Sequence, residues 1–227
     1  MVAPLIIDTT PDPRLVVIVL HGRAMRAADL APFARSIGVP ARFMFPQGSL
    51  PLAGGGFSWW PIDEERRIEA LQSGPRDLFE AHPDGRPAAR ASLAKLLREA
   101  RLLPAPGAHL ALVGFSQGGM LAVDTLLHES IAVDALALFS SSCIALDEWR
   151  TRLARLRGMP VLVTHGRADT DLALSAGERL RDDLQDAGAD VEWLAFDGGH
   201  EIPLQVWRQL RKMLHAVLTD GPDIIRR

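Results

Sequence analysis

With 227 residues, 48% of them hydrophobic, the chain can bury a substantial core, and its length predicts one domain over residues 1–227 rather than two. A formal net charge of −3, with arginines scattered along the sequence, leaves no electrostatic footprint for nucleic acid or an anionic membrane surface. The lone cysteine, Cys143, excludes an internal disulfide framework, and the start MVAPLIIDTTPDPRL lacks the basic n-region and long apolar run of a signal peptide. The expectation is a cytoplasmic chain without stable membrane insertion.

In chain order, residues 4–8 read as a short edge strand ended by the turn Pro11-Asp12-Pro13. Residues 15–20, LVVIVL, are continuously apolar, as a strand buried on both faces of a parallel sheet should be. His21-Gly22-Arg23-Ala24 follows; residues 28–37 predict a helix with Asp29 near its start, and residues 42–45 another short strand. Residues 46–61, PQGSLPLAGGGFSWWP, have no periodicity and are dense in Gly and Pro, which predicts a long loop of a kind that often carries function. Asp63-Glu64-Glu65 suit the positive end of a helix dipole and read as a solvated first turn. After the turn Asp84-Gly85-Arg86-Pro87, residues 88–102 form an amphipathic pattern with Leu93, Leu96, Leu97 and Ala100 on one face.

The sharpest local signal is LALVGFSQGGMLAVDTLL, residues 110–127. An apolar run meets Gly114-Phe115-Ser116-Gln117-Gly118, and a helical pattern carrying Met120, Leu121, Val123, Leu126 and Leu127 follows at once. Strand, sharp turn and helix with serine at the apex make a nucleophile elbow, whose flanking glycines avoid backbone collisions. Residues 133–139 and 160–164 then read as buried strands separated by a helix near residues 147–156. A helix over residues 172–187 closed by Gly188, a strand over 191–196, and a last helix opened by Pro203 with Trp207, Leu210, Leu214 and Val217 in phase complete the chain. This alternation implies a mostly parallel sheet with helices on both faces, and in such sheets chemistry collects beyond the carboxyl ends of the strands.

Several polar residues fall at those ends. Ser116 needs a base, because an isolated hydroxyl is a weak nucleophile near neutral pH. Of 7 histidines, His200 stands between the last strand and the last helix, on a glycine-softened loop within reach of the elbow. The imidazole in turn needs a carboxylate to fix its tautomer. Asp169, just beyond the strand at residues 160–164, is the preferred acid; Asp171, which opens the next helix, and Asp197, close to His200 in sequence, are its rivals. The chain order Ser116, Asp169, His200 is that of α/β-hydrolases. The backbone N–H groups of Gln117 and Arg23 are the expected oxyanion donors. His21 and His165, each in a strand-His-Gly context, read as organising their loops. Neither a zinc-helix histidine pair nor a phosphate loop is present, since Gly54-Gly55-Gly56 lacks a following Lys-Ser/Thr, so neither metal nor cofactor is expected.

Leu20-His21-Gly22, Gly114-Phe115-Ser116-Gln117-Gly118-Gly119-Met120, His165-Gly166 with Asp169, and Gly199-His200-Glu201-Ile202-Pro203 together resemble the phospholipase/carboxylesterase family of α/β-hydrolases, which includes acyl-protein thioesterases. The resemblance spans nearly the whole chain. It implies an α/β-hydrolase fold with Ser116, Asp169 and His200 as triad and Arg23 and Gln117 N–H groups as oxyanion hole. Two departures stand out: Ala24-Met25 where relatives commonly have Gly-Asp, and Thr170-Asp171-Leu172-Ala173 where they have Pro or Val after the acid. The second keeps Asp171 open as the acid.

Only residues 140–159 are available for a lid, enough for a loop and one helix, so no large cap domain is expected. Loops must then shape the cleft, and Phe57, Trp59 and Trp60 are candidates for an aromatic substrate-binding wall; packing of the same rings onto the domain is the competing expectation. The functional expectation is a serine esterase acting through an acyl-enzyme on a small-molecule ester or thioester, as a carboxylesterase, with lysophospholipase and acyl-protein thioesterase as alternatives. A non-catalytic ligand-binding protein on the same fold is the reading from another class. Homodimer formation is left open.

Overall fold

The central sheet has seven strands in the order β1-β3-β2-β6-β7-β8-β9, seen in a computed structural model that describes residues 3–102 and 108–219. In chain order these are β1 (Leu5–Asp8), β2 (Leu15–Leu20), β3 (Arg42–Phe45), β6 (His109–Phe115), β7 (Ala135–Phe139), β8 (Pro160–Gly166) and β9 (Asp190–Phe196), with a two-stranded ribbon, β4 (Leu50–Pro51) and β5 (Phe57–Ser58), between β3 and β6. β1 runs antiparallel to β3, and every other pair in the large sheet is parallel.

The continuous apolar runs follow from burial on two sides. In β2, Val16, Ile18 and Leu20 face one core, while Leu15, Val17 and Val19 face the other. The first core is closed by α4 (Arg86–Leu102), α5 (Gln117–His128), α6 (Leu146–Arg150) and α7 (Leu174–Asp186); the second by α1 (Ala27–Leu30), α2 (Phe33–Ser36) and α8 (Leu204–Thr219). A last helix, α3 (Glu64–Gln72), buries no residue.

Local chemistry explains where the elements differ from the sequence pattern. The helix expected over residues 28–37 is split into α1 and α2, because Pro32 has no N–H to give to the carbonyl four residues back. The loop at residues 46–61 contains the β4–β5 ribbon, with Leu50 opposite Ser58 and Pro51 opposite Phe57. α7 starts at Leu174, later than expected, because the N–H groups of Asp171 and Leu172 are turned to the Asp169 carboxylate and not into a helix. Between β7 and β8 the chain carries only α6 and a 3₁₀ turn, Leu153–Leu156, so there is no large cap. Among the described residues no helix is long and apolar enough to cross a membrane.

Candidate active site

β6 ends at Phe115 and α5 begins at Gln117, so Ser116 must carry the whole reversal. It does so at φ 53°, ψ −119°, a positive-φ conformation outside the left-handed helical region and rare for a residue with a Cβ. The strain is held in place from outside the turn: Ser116 N–H donates to Phe139 O at 2.8 Å, and Ser141 Oγ–H donates to Ser116 O at 3.1 Å. The flanking glycines are obligatory. A Cβ at Gly114 would lie 2.5 Å from Gly118 O, and one at Gly118 would lie 2.6 Å from Leu20 O. That crossing packs α5 directly against the end of β2.

Three side chains from separate strand ends meet there. Ser116 Oγ–H donates to His200 Nε2 at 2.9 Å, and His200 Nδ1–H donates to Asp169 Oδ2 at 2.6 Å. A carboxylate only accepts, so the second contact fixes the hydrogen on Nδ1 and leaves Nε2 free to take a proton from the hydroxyl. Phe115 packs beside the imidazole with ring centroids 4.9 Å apart. The Asp169 side chain is fully buried, and its other oxygen, Oδ1, accepts from the N–H groups of Asp171 at 2.8 Å and Leu172 at 2.9 Å. Burial alone would raise the Asp169 carboxyl, but the His200 hydrogen bond and charge, aided by the two N–H donors, hold it below the ordinary carboxylate range.

The rival acids are occupied elsewhere. Asp171 Oδ1 accepts from Arg67 Nη2 at 2.9 Å and Arg76 Nη2 at 2.6 Å, and these guanidiniums outweigh its burial to keep the carboxyl ionised. Asp197 is 98% exposed and faces Arg167.

The loop after β2 brings Arg23 to the same place. Its guanidinium is bound to Glu64 on α3, and among the described residues neither the backbone N–H of Arg23 nor that of Gln117 donates to another protein group. His21, fully buried, organises this loop: Nδ1–H donates to Gly22 O at 2.7 Å while Nε2 accepts from Gly48 N–H at 3.0 Å and Gln47 Nε2–H at 2.8 Å. Burial pushes its pKa down, in keeping with a neutral ring. His165, also fully buried, donates through Nε2–H to Leu172 O at 3.0 Å and braces the loop that carries Asp169.

A cavity of about 520 Å³ opens over Ser116 and His200. Met25, Leu30, Phe33 and Ile202 supply its apolar side, and Arg23, Arg67 and Asp171 its charged side. The expected aromatic wall is corrected here: Phe57, Trp59 and Trp60 are absent from the lining, and Trp59 and Trp60 are only 3% and 2% exposed. Trp60 belongs to the core, and Trp59 and the Phe57 backbone support the loop after β2. Trp59 stacks on His21 at 4.9 Å and donates Nε1–H to His21 O at 2.8 Å, while Phe57 N–H and O pair with Met25 O and Ala24 N–H, both at 2.9 Å. The 46–61 loop therefore fixes the Arg23 loop from below.

The Gln117 side chain completes that clamp, a role that the elbow motif does not reveal. Its Oε1 accepts from Trp59 N–H at 2.9 Å and Ser58 Oγ–H at 3.0 Å. Strand ends do not point to Arg67 in the lining, and Glu64, expected only as part of a solvated first turn, instead binds Arg23, since α3 belongs to an excursion between β3 and β6 and its charges have the pattern of any solvated helix. Met25, Leu30 and Phe33 were missed for a similar reason, because apolar spacing alone does not distinguish a cavity wall from core. Among the described residues, no cluster of three or more His, Cys, Asp or Glu side chains is arranged to hold a metal ion.

Solved structures share this architecture. Esterase PE8 superposes with a TM-score of 0.78 at 24% identity, over 95% of this chain and 98% of that one. Acyl-protein thioesterase 2 of Zea mays gives 0.72 at 20% identity, over 95% and 98%, and a carboxylesterase from Mesorhizobium loti gives 0.69 at 23%, over 90% of each chain. No curated protein matches the chain in sequence. At these identities the likeness is one of fold, but a sequence profile of the phospholipase/carboxylesterase family matches residues 4–218, nearly the whole chain, and the protein belongs to that family.

Proposed function

We propose that the protein is a carboxylesterase in which Ser116 is the nucleophile, His200 the general base and acid, and Asp169 the residue that orients the imidazole. The observation that carries this reading is the hydrogen-bond chain from Ser116 Oγ through His200 to Asp169, at 2.9 and 2.6 Å. Ser116 Oγ attacks the ester carbonyl as its proton passes to His200 Nε2. Charge gathers on the carbonyl oxygen, where the N–H groups of Arg23 and Gln117 receive it, and one such donor is typically worth roughly 10²–10³ in rate. The tetrahedral intermediate collapses when His200 returns the proton to the leaving alkoxide. Water, deprotonated by the same imidazole, then releases the acid from the acyl-enzyme and restores Ser116.

The cavity supports an ester with a modest apolar group, since about 520 Å³ edged by Met25, Leu30, Phe33 and Ile202 falls in the range of small-molecule sites. A fluorophosphonate probe should label the wild type at Ser116 and leave Ser116→Ala unlabelled. No adduct on Ser116, where a known esterase reacts, would remove the hydrolase reading and favour a ligand-binding protein. Asp169→Asn should lower kcat by about 10³–10⁴, because the amide favours the wrong imidazole tautomer. If Asp171→Asn is instead the more damaging of the two, the acid is misassigned.

A further inference from the structure

α3 is an odd helix. It has 9 residues and buries none of them, and the half-buried positions on its inner side are Glu64, Arg67 and Leu71. So short a helix is marginal alone, and with little apolar burial its seat on the domain must come from polar contacts. Those contacts lead to the two loops that the proposed reaction needs. Glu64 Oε1 accepts both Nε–H and Nη2–H of Arg23, next to the backbone N–H assigned to the oxyanion. Arg67 lies 3.7 Å from Glu64 through Nη1 and donates through Nη2 to Asp171 at 2.9 Å. Asp171, held also by Arg76 at 2.6 Å, donates its own N–H to Asp169 Oδ1 at 2.8 Å. Arg76 pins the same backbone a second time, its N–H donating to Asp171 O at 3.0 Å.

Arg23, Glu64, Arg67, Asp171 and Arg76 thus alternate in sign across the mouth of the site. We propose that Glu64 and Arg67 are positioning residues: through this strap they hold the Arg23 loop and the Asp169 loop in one mutual geometry, so that oxyanion donor and triad acid are set together. The inference rests on the roles proposed above for Ser116, Asp169 and His200. Partly exposed ion pairs add little to folding stability, whereas small displacements at a reacting centre cost rate steeply. The strap should therefore be visible in kcat and nearly silent in thermal stability.

The test uses p-nitrophenyl butyrate, with kcat expressed per Ser116 labelled by the fluorophosphonate, so that misfolded enzyme is not counted. Arg67→Gln and Glu64→Gln should each lower kcat about tenfold, with KM within about twofold, since the interaction matters in the transition state. The double variant should be no slower than the worse single one, because parts of one unit are not additive. Arg67→Lys, which keeps the charge without the fork, should regain part of the loss. Unchanged kcat per labelled serine in Arg67→Gln, or losses that multiply in the double variant, would overturn the proposal while leaving the hydrolase reading intact. An unlabelled wild type would remove both.

Discussion

Ala24 follows Arg23 directly and sits at φ 64°, in the left-handed region, with its N–H donated to Phe57 O at 2.9 Å. A Cβ in that region costs roughly 1–2 kcal/mol, and glycine would avoid it. The conformation endures because the Phe57 backbone pairs with the chain on both sides of it. Ala24→Gly should therefore stabilise the fold by about 0.5–1 kcal/mol, the relief of strain being offset in part by the freer unfolded chain. A urea midpoint equal to or below that of the wild type would contradict this. The departure from relatives at Ala24-Met25 could be read in the sequence. Its consequence could not, since the left-handed turn is enforced by a carbonyl from a distant loop.

At the scale of elements, the elbow was legible because its constraints are local. Two glycines, an apolar run before and a helical pattern after suffice to place Ser116 above the sheet edge. The companion loop was legible only as a loop. Whether Trp59 and Trp60 face a substrate or the core depends on α5 lying beneath them, and the link is the Gln117 side chain. Gln117→Leu keeps the backbone N–H and removes the clamp. It leaves the Trp59 N–H buried without a partner, while Ser58 Oγ–H still reaches Trp60 O at 2.6 Å. The expected loss is about 1–3 kcal/mol, the usual cost of one orphaned buried donor, and urea unfolding measures it. A loss below about 0.5 kcal/mol would mean that the loop finds another acceptor or water on relaxing. Because Trp59 also holds His21 O, kcat should fall in the same variant.

For the whole molecule, a mostly parallel sheet between two cores follows from alternating strands and helices and from continuous apolar strands, which is why that much of the architecture could be anticipated, whereas the strand order could not be read from the sequence. An acid sensitivity of the fold is expected from the titratable groups buried in it. His21 and His165 are both fully buried, and burial, opposed only in part by their backbone hydrogen bonds, lowers both pKa values below the ordinary 6.5. As pH falls, the unfolded chain takes up these protons first. The stability they contribute is fully present above 6.5 and is lost as pH falls through the folded-state values. Asp169 and Asp171 act in the same direction lower down: their carboxyls lie below 3.8 in the folded protein, so their contribution holds above 3.8 and is lost beneath it. Acid should therefore weaken the protein in two stages, the first carried by imidazoles and the second by carboxylates. Each buried imidazole can steepen the first stage by at most about 1.4 kcal/mol per pH unit. The melting temperature should therefore fall as the pH is lowered from about 7 to about 5, at up to about 2–4 °C for each kcal/mol lost in a chain of this size. His21→Gln, measured over the same range, should show a shallower decline, because one of the two proton acceptors is gone. A wild-type melting temperature that stays level across that interval would mean that the buried rings take protons as readily in the fold as in water.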